Sequence, residues 1–276
     1  MPTKTATLIL NRNLKSVTEA AYEQLMAYDA EETDIYIIES GSDEANLPKY
    51  QHWWANWPEA QRDGLRYPRG FNYGLCKLIE LGLYENYDYF FLLCNDIEFP
   101  KEPVVGPLVQ EMQRHPRMGI LSPLSPEWGE KELIPPNETR YFWHIVPDAW
   151  LVRRKFVDAI RERERPNFLN LLFDGTNFRG YGTEMELTAK AYANDWAAGI
   201  TSTVVMTENQ NLLLNRADLI RTDPWEESLK LAAAEGRAWM RRKYGFNSRW
   251  SMQMYVKFFY DKFFQLYPEN ERYRIL

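Results

Sequence analysis

The sequence predicts an α/β protein in which helices flank a mixed central sheet and a helical extension follows at the C-terminus. Three short apolar runs, 5–10, 34–38 and 89–93, each end directly in polar residues, as buried strands do. Apolar residues at helical spacing separate the first two runs, which predicts a strand–helix–strand unit with a right-handed crossover. The last part of the chain is helical and amphipathic instead. We therefore expect a Rossmann-like domain over 1–215 and a helical extension over 216–276 packed on it.

Composition and charge restrict the class of protein. The chain has 276 residues, of which 45% are hydrophobic, so it can bury a sizeable core. Its net charge of -6 argues against a general nucleic-acid binder, which needs a basic face. The 2 cysteines indicate no disulfide framework. Met1 to Leu10 does not have the pattern of a signal peptide, and no apolar run reaches about 18 residues. We expect a cytoplasmic protein without a transmembrane segment or a nucleic-acid partner.

The stretch from Tyr89 to Pro100 carries the clearest chemical pattern. A buried strand is followed at once by Asp96 and Glu98, and ligands of open α/β sheets collect beyond the carboxyl ends of strands. Carboxylates suit a hard, oxygen-ligated divalent ion, and three histidines are too few for a histidine-rich metal site. The alternative is a solvated acidic turn before the proline. The sequence contains no P-loop, paired Cys-x-x-Cys, His-Glu-x-x-His or Gly-x-Ser-x-Gly motif, which excludes several enzyme classes.

Further elements follow from the same periodicities. The glycines within 69–74 open a predicted helix, either so that backbone can approach a ligand or as a tight helix entry. The Trp-rich segment 47–65 is irregular, and four prolines exclude regular structure throughout 122–136. Later predicted elements are a helix over 104–115, strands over 118–121, 149–152 and 201–206, and helices over 225–244 and 252–264.

A second pair of acids begins a predicted helix after the glycine-rich loop 173–182. Thr183 can cap this helix, and Glu184 and Glu186 lie in its first turn. The helix macrodipole favours negative charge there, so the two acids have a structural explanation as well as a catalytic one.

Four motifs, taken in order, resemble those of glycosyltransferase family 2. A Glu-Ser-Gly-Ser-Asp turn (39–43) follows the second strand, and Gly-Phe-Asn-Tyr-Gly (70–74) opens a helix. Cys-Asn-Asp-Ile-Glu (94–98) ends a strand, and Tyr-Gly-Thr-Glu-Met-Glu-Leu (181–187) starts a helix. The resemblance covers about residues 5 to 210. It implies a type A glycosyltransferase fold and transfer of a sugar from a nucleotide sugar with inversion, usually with Mn²⁺ or Mg²⁺.

The resemblance also implies roles for single residues. Asp96 matches the metal-binding position and Cys94 departs from the motif, which makes Glu98 a helper. Glu184 matches the general base. Glu208 is the nearest residue to a position where the family often has a metal-binding histidine. The nucleotide candidates are Asn11, Arg12, Glu39, Asp43, Arg69, Asn72 and Asn95, with Glu39 replacing the acid that contacts base or ribose. The acceptor candidates are Trp143, His144 and Glu186.

The resemblance thus implies a metal-dependent inverting glycosyltransferase. The donor would be a UDP-sugar by prior frequency, with GDP and dTDP as alternatives, and the acceptor a hydroxyl on a glycan, a lipid-linked or a protein-linked molecule. A catalytically silent nucleotide- or glycan-binding module is the alternative function, and a nucleotidyltransferase lacks its glycine-rich phosphate loop here. The aromatic run 250–260 would pack on the core, close the site, pair two subunits as a homodimer or lie peripherally on a membrane.

Overall fold

The computed structural model of the chain describes residues 4–209, 211–212, 216 and 218–275. The strands are β1 (Thr5–Asn11), β2 (Thr33–Glu39), β3 (His52–Trp54), β4 (Tyr89–Cys94), β5 (Ile97–Glu98), β6 (Met118–Leu124), β7 (Thr139–Tyr141), β8 (Ala149–Arg153), β9 (Ala197–Val205) and β10 (Thr207–Glu208). The α-helices of the described residues are α1 (Lys15–Tyr28), α2 (Pro58–Asp63), α3 (Arg66–Glu80), α4 (Val105–Arg114), α5 (Arg154–Ile160), α6 (Thr183–Ala193), α7 (Trp225–Tyr244) and α8 (Arg249–Leu266).

One mixed sheet organises the fold, and this confirms the predicted α/β class. Its strand order is β3-β2-β1-β4-β8-β6-β9-β7. Strands β3, β2, β1 and β4 run parallel, β8 runs antiparallel to both of its neighbours, and β7 runs antiparallel to β9. Asn11 pairs with Glu39, and Leu10 pairs with Cys94, so the ends of β1, β2 and β4 meet at one edge. The predicted ligand edge of the sheet is therefore formed.

Helix α3 packs closely on this sheet because of two glycines. It begins at Arg66, earlier than the sequence suggested, so Gly70 and Gly74 lie inside the helix rather than at its entry. A methyl group on Gly70 would overlap the side chain of Leu10, and one on Gly74 would overlap Ile38. Neither of the two predicted roles for these glycines is correct, since they allow a helix to approach two strands.

Three other boundaries differ from prediction. Strand β6 continues through Pro123 into the segment expected to be irregular, and its pairing with β9 shifts register at that proline, where a missing N–H is tolerated. Strand β9 begins at Ala197 rather than Thr201, because its small residues are buried between β6 and β7. The Trp-rich segment forms β3 and α2.

The C-terminal helices share the core of the domain. Tyr260 and Phe263 of α8 are buried in the main apolar core, and Met185 of α6 packs in a second cluster with Trp239 and Met240 of α7. The helices that follow the sheet therefore support α6 directly. The predicted domain boundary after residue 215 lies outside the described residues. Among the described helices, none combines the length and the hydropathy needed to cross a membrane.

Candidate functional site

A polar network joins the three strand ends at the sheet edge. The Asn11 carboxamide donates to both Glu39 oxygens, over 2.8 and 3.0 Å, and its Oδ1 accepts from Asn95 Nδ2 at 2.7 Å. Ser42 Oγ also donates to Glu39. Glu39 is fully buried, and this burial raises the pKa of its carboxyl group. Its oxygens are occupied within the fold, which corrects the prediction that Glu39 contacts the nucleotide.

A cavity of about 220 Å³ opens beside this network, and Arg12 and Arg66 line it together with Asn11, Asn95 and Asp96. Arg12 donates to backbone carbonyl groups of α2, and Arg66 donates to the Thr222 hydroxyl at 2.9 Å. Neither guanidinium forms an ion pair with a described carboxylate.

The environment of the cavity lowers the pKa of both arginines. Burial lowers the pKa of Arg12 to about 10, with Arg66 and Arg221 adding like-charge repulsion. Burial and then Arg179 lower the pKa of Arg66, whose backbone has a φ of 57°. Half-buried cations that form no ion pair with a described carboxylate favour an anionic ligand in the cavity. Arg66 was not predicted, and its only sequence feature was its place shortly before the glycine motif.

Three other nucleotide candidates lie outside the cavity lining. Asn72 is fully buried and binds backbone atoms of Leu172 and Phe173, so it anchors a loop, which corrects its predicted role. Arg69 donates to the Gly175 carbonyl at 2.7 Å. Asp43 pairs with Arg221 at 2.5 Å.

Asp96 also lines this cavity, and electrostatic interactions link its carboxylate to three further acids, Glu208, Asp148 and Glu184. Asp96 follows β4, and Glu208 reaches it because β10 pairs with β5, with Glu208 opposite Ile97. Burial raises the pKa of Asp96 to about 6, and the negative charge of Glu208 adds to the shift. Burial also raises the pKa of Asp148 well above its usual range, followed by the charges of Glu208, Asp96 and Glu184. None of the four acids forms an ion pair with a described residue.

Asp148 was missed by the sequence analysis. It precedes β8, and its backbone carbonyl accepts the Cys94 N–H at 2.9 Å because β8 runs antiparallel to β4. An acid at the start of a strand reaches this edge only if that strand runs antiparallel to β4. No local sequence pattern indicates the direction of β8. Glu98, in contrast, is exposed, accepts a hydrogen bond from Asn209 at 2.7 Å and does not line the cavity, so its role as a metal helper stays a prediction.

Glu184 lies in the first turn of α6 and is 8% exposed. Burial raises its pKa, while backbone N–H groups and Arg249 oppose the shift. Gly182, with a φ of 87°, precedes the helix, and the side chain of Thr183 forms no capping hydrogen bond, which corrects the predicted cap. The geometry therefore places a buried carboxylate at a helix N-terminus.

Glu186 has a structural role instead of the predicted acceptor role. It is 2% exposed, accepts from the Tyr244 hydroxyl at 2.5 Å and pairs with Lys243 at 2.6 Å. Lys243 also pairs with Asp174 at 2.6 Å. These bonds tie α6 and the preceding loop to α7.

The oxygen donors at this edge fit a divalent cation whose remaining coordination positions are filled by a bound ligand. No three His, Cys, Asp or Glu side chains of the described residues form a metal-binding group by themselves. The negative charge of Glu208 nevertheless acts on Asp96, and neither acid forms an ion pair with a described residue. Mg²⁺ in particular is commonly held by one or two carboxylates plus substrate phosphates. Burial raises the pKa of Cys94 well above its usual range, so the thiol is protonated and a poor ligand.

The two remaining acceptor candidates line a second cavity of about 500 Å³. Trp143 packs edge-on against Tyr260. Arg249 Nη2 donates to His144 Nε2 at 3.1 Å, so that nitrogen carries a lone pair. Burial lowers the pKa of His144, and Arg249 lowers it further, which keeps the ring neutral.

The structure is similar to solved glycosyltransferases. GalNAc-T7, solved with UDP, GalNAc and Mn²⁺, matches with a TM-score of 0.57 and 11% identity over 98% of this chain, which spans 58% of that protein's chain. The mannosyltransferase PcManGT from Pyrobaculum calidifontis, in complex with GDP-Man and Mn²⁺, matches with a TM-score of 0.50 and 10% identity over 95% of this chain and 87% of its own. No family model and no curated protein sequence matches the chain. The chain has the type A glycosyltransferase fold.

Proposed function

We propose that the protein is a metal-dependent glycosyltransferase that moves a sugar from a nucleoside-diphosphate sugar to an acceptor hydroxyl with inversion. One observation carries the proposal: a single cavity has the unpaired cations Arg12 and Arg66 on one side and the unpaired acid Asp96, coupled to Glu208, on the other. A diphosphate with a divalent cation satisfies both sides, whereas an anion or a cation alone satisfies one. The ligands printed for the two similar structures, UDP or GDP-Man with Mn²⁺, support this pairing.

The residues of the cavity would divide the binding of the donor. Arg12 and Arg66 would hold the diphosphate through charge-assisted hydrogen bonds. Asp96 and Glu208 would hold Mn²⁺ or Mg²⁺, which supplies positive charge to the leaving diphosphate when it is bound. Asn11 and Asn95 line the same cavity and are hydrogen-bonded to each other.

Glu184 would take the proton from the attacking hydroxyl. A carboxylate with a raised pKa is a stronger base than an exposed one, and general base catalysis typically contributes about 10²- to 10⁴-fold. The negative charge of Glu184 also contributes to the raised pKa of Asp148, after burial and the charges of Glu208 and Asp96. The proposed base, Glu184, and the proposed metal ligand, Asp96, then lie on different elements, at the start of α6 and after the end of β4.

The test is nucleotide release from UDP-, GDP- and dTDP-sugars in the presence of Mn²⁺. We expect release with one nucleotide class, and a fall of about 10²-fold or more in Glu184→Gln with donor binding retained. Glu98→Gln, which changes an exposed acid of the same stretch, is the matched control and should behave as the wild type. Binding of a nucleotide without turnover would identify a silent binding module, and neither binding nor release would refute the proposal.

A further inference from the structure

The second cavity lies between the segment that precedes β8 and helix α8. Its walls are mostly apolar, with Phe142 and Trp143 on one side and Trp250 and Met254 on the other. Trp250 is 69% exposed and Met254 is 48% exposed, so the apolar lining continues to the surface. A concave site of this size and lining is typical of small-molecule binding.

Two half-buried polar side chains of the cavity form no hydrogen bond with a described residue, although the charge of one of them, Glu130, acts on His144. Lys257 is paired with Asp261, and His144 is bonded to Arg249. The Glu130 carboxylate and the Gln253 amide, in contrast, form no hydrogen bond or ion pair with described residues, although both line the cavity. A carboxylate and an amide beside aromatic rings can bind sugar hydroxyls. The apolar walls, in contrast, fit an apolar part of the same ligand.

Arg249 connects this cavity to the proposed base. Its guanidinium contacts His144 of the cavity lining and also lies over the Tyr181 ring, 5.6 Å from the centroid, next to the start of α6. The same charge acts on Glu184. Arg249 therefore contacts the lining of the cavity and acts through its charge on the group that would activate an acceptor.

We propose that this cavity binds the sugar acceptor, and that the acceptor is an amphiphilic glycoside. Its sugar hydroxyls meet Glu130 and Gln253, and its apolar aglycone lies against Trp250 and Met254. That the bound molecule is the acceptor rests on the proposed function. That the cavity binds an amphiphilic glycoside does not. The apolar lining is concave and includes two polar side chains without a hydrogen bond to a described residue, which favours a single amphiphile over a flat bilayer or a second copy of the chain.

Calorimetric titration with butyl, hexyl and octyl β-D-glucosides below their micelle concentrations tests this proposal, with no donor present. We expect affinity to rise about two- to fourfold for each added methylene group, since apolar burial scales with chain length. Trp250→Ala and Met254→Ser should remove this dependence on chain length. Phe258→Ser is the matched control because Phe258 is 54% exposed on the same helix and does not line the cavity.

Each outcome decides the proposal. Affinity that does not depend on chain length in the wild type would overturn it, as would an equal loss in Phe258→Ser, which would indicate a general apolar surface. The failure of the proposed function is a separate result: it would show as no nucleotide binding or release while the dependence on alkyl length persists.

Discussion

At the scale of single residues, Arg249 is the one cationic side chain whose charge is identified as acting on Glu184 among the described residues. The guanidinium opposes the rise in pKa that burial imposes on the carboxyl group. It comes from the first residue of α8, outside the stretch that resembles glycosyltransferase family 2. A residue of the C-terminal helices therefore acts through its charge on a group at the start of α6.

Replacing Arg249 with Gln should raise the pKa of Glu184, because the stabilising positive charge is lost while burial is kept. Glu184 must be deprotonated to act as a base, so the acidic limb of the profile of kcat/KM against pH should move to higher pH. Arg249→Lys keeps the charge and should leave the limb close to the wild-type position. An unchanged limb in Arg249→Gln, or a move to lower pH, would show that Arg249 does not act on the base.

At the scale of elements, helix α7 contacts the loop that leads into α6. Gly236 is buried in α7, and a β-carbon at that position would lie 2.6 Å from the Tyr181 carbonyl oxygen. The obstacle is backbone, which cannot rotate away as a side chain can. The glycine therefore allows α7 to lie directly on the segment that positions Glu184.

Gly236→Ala should lower the free energy of unfolding by about 1–3 kcal/mol, as overpacking of a close contact does. The gain of about 1 kcal/mol that alanine brings to a helix acts in the opposite direction and does not outweigh a backbone clash. Urea unfolding measures the difference. Gly129→Ala is the control, since nothing lies within 4 Å of its β-carbon position. A more stable Gly236→Ala variant would mean that α7 does not press on the loop.

The same scale explains which parts of the site the sequence could predict. The positions of Asp96 and Glu184 follow from local patterns, a strand end and a helix start, and the structure contains both elements. Glu39 and Asn72 have equally suitable chemistry and positions, yet both are fully buried and bonded within the fold. Whether a polar side chain turns to the cavity or to the core depends on neighbours distant in sequence, such as Asn11 for Glu39.

At the scale of the whole molecule, the sheet topology assembles the acid cluster. Strands β1, β2 and β4 come from local strand–helix–strand patterns, and their common edge was predicted correctly. The reversed β8 brings Asp148 to that edge, and the pairing of β5 with β10 brings Glu208, which is more than a hundred residues away in sequence from Asp96. Neither pairing has a local sequence pattern, so Asp148 was missed, and the interaction of Glu208 with Asp96 could not be predicted from the residues around either one.

The central claim is that a divalent cation and a nucleoside diphosphate bind together between Asp96 and the arginines. Isothermal titration with UDP, GDP and dTDP, each with and without Mn²⁺, tests it directly. We predict that Mn²⁺ tightens binding of one diphosphate in the wild type and in Glu98→Gln, and that Asp96→Asn abolishes this gain. The loss should exceed the roughly 10- to 100-fold that a residue behind a metal ligand costs. Binding that ignores Mn²⁺, or equal losses in Asp96→Asn and Glu98→Gln, would contradict the account.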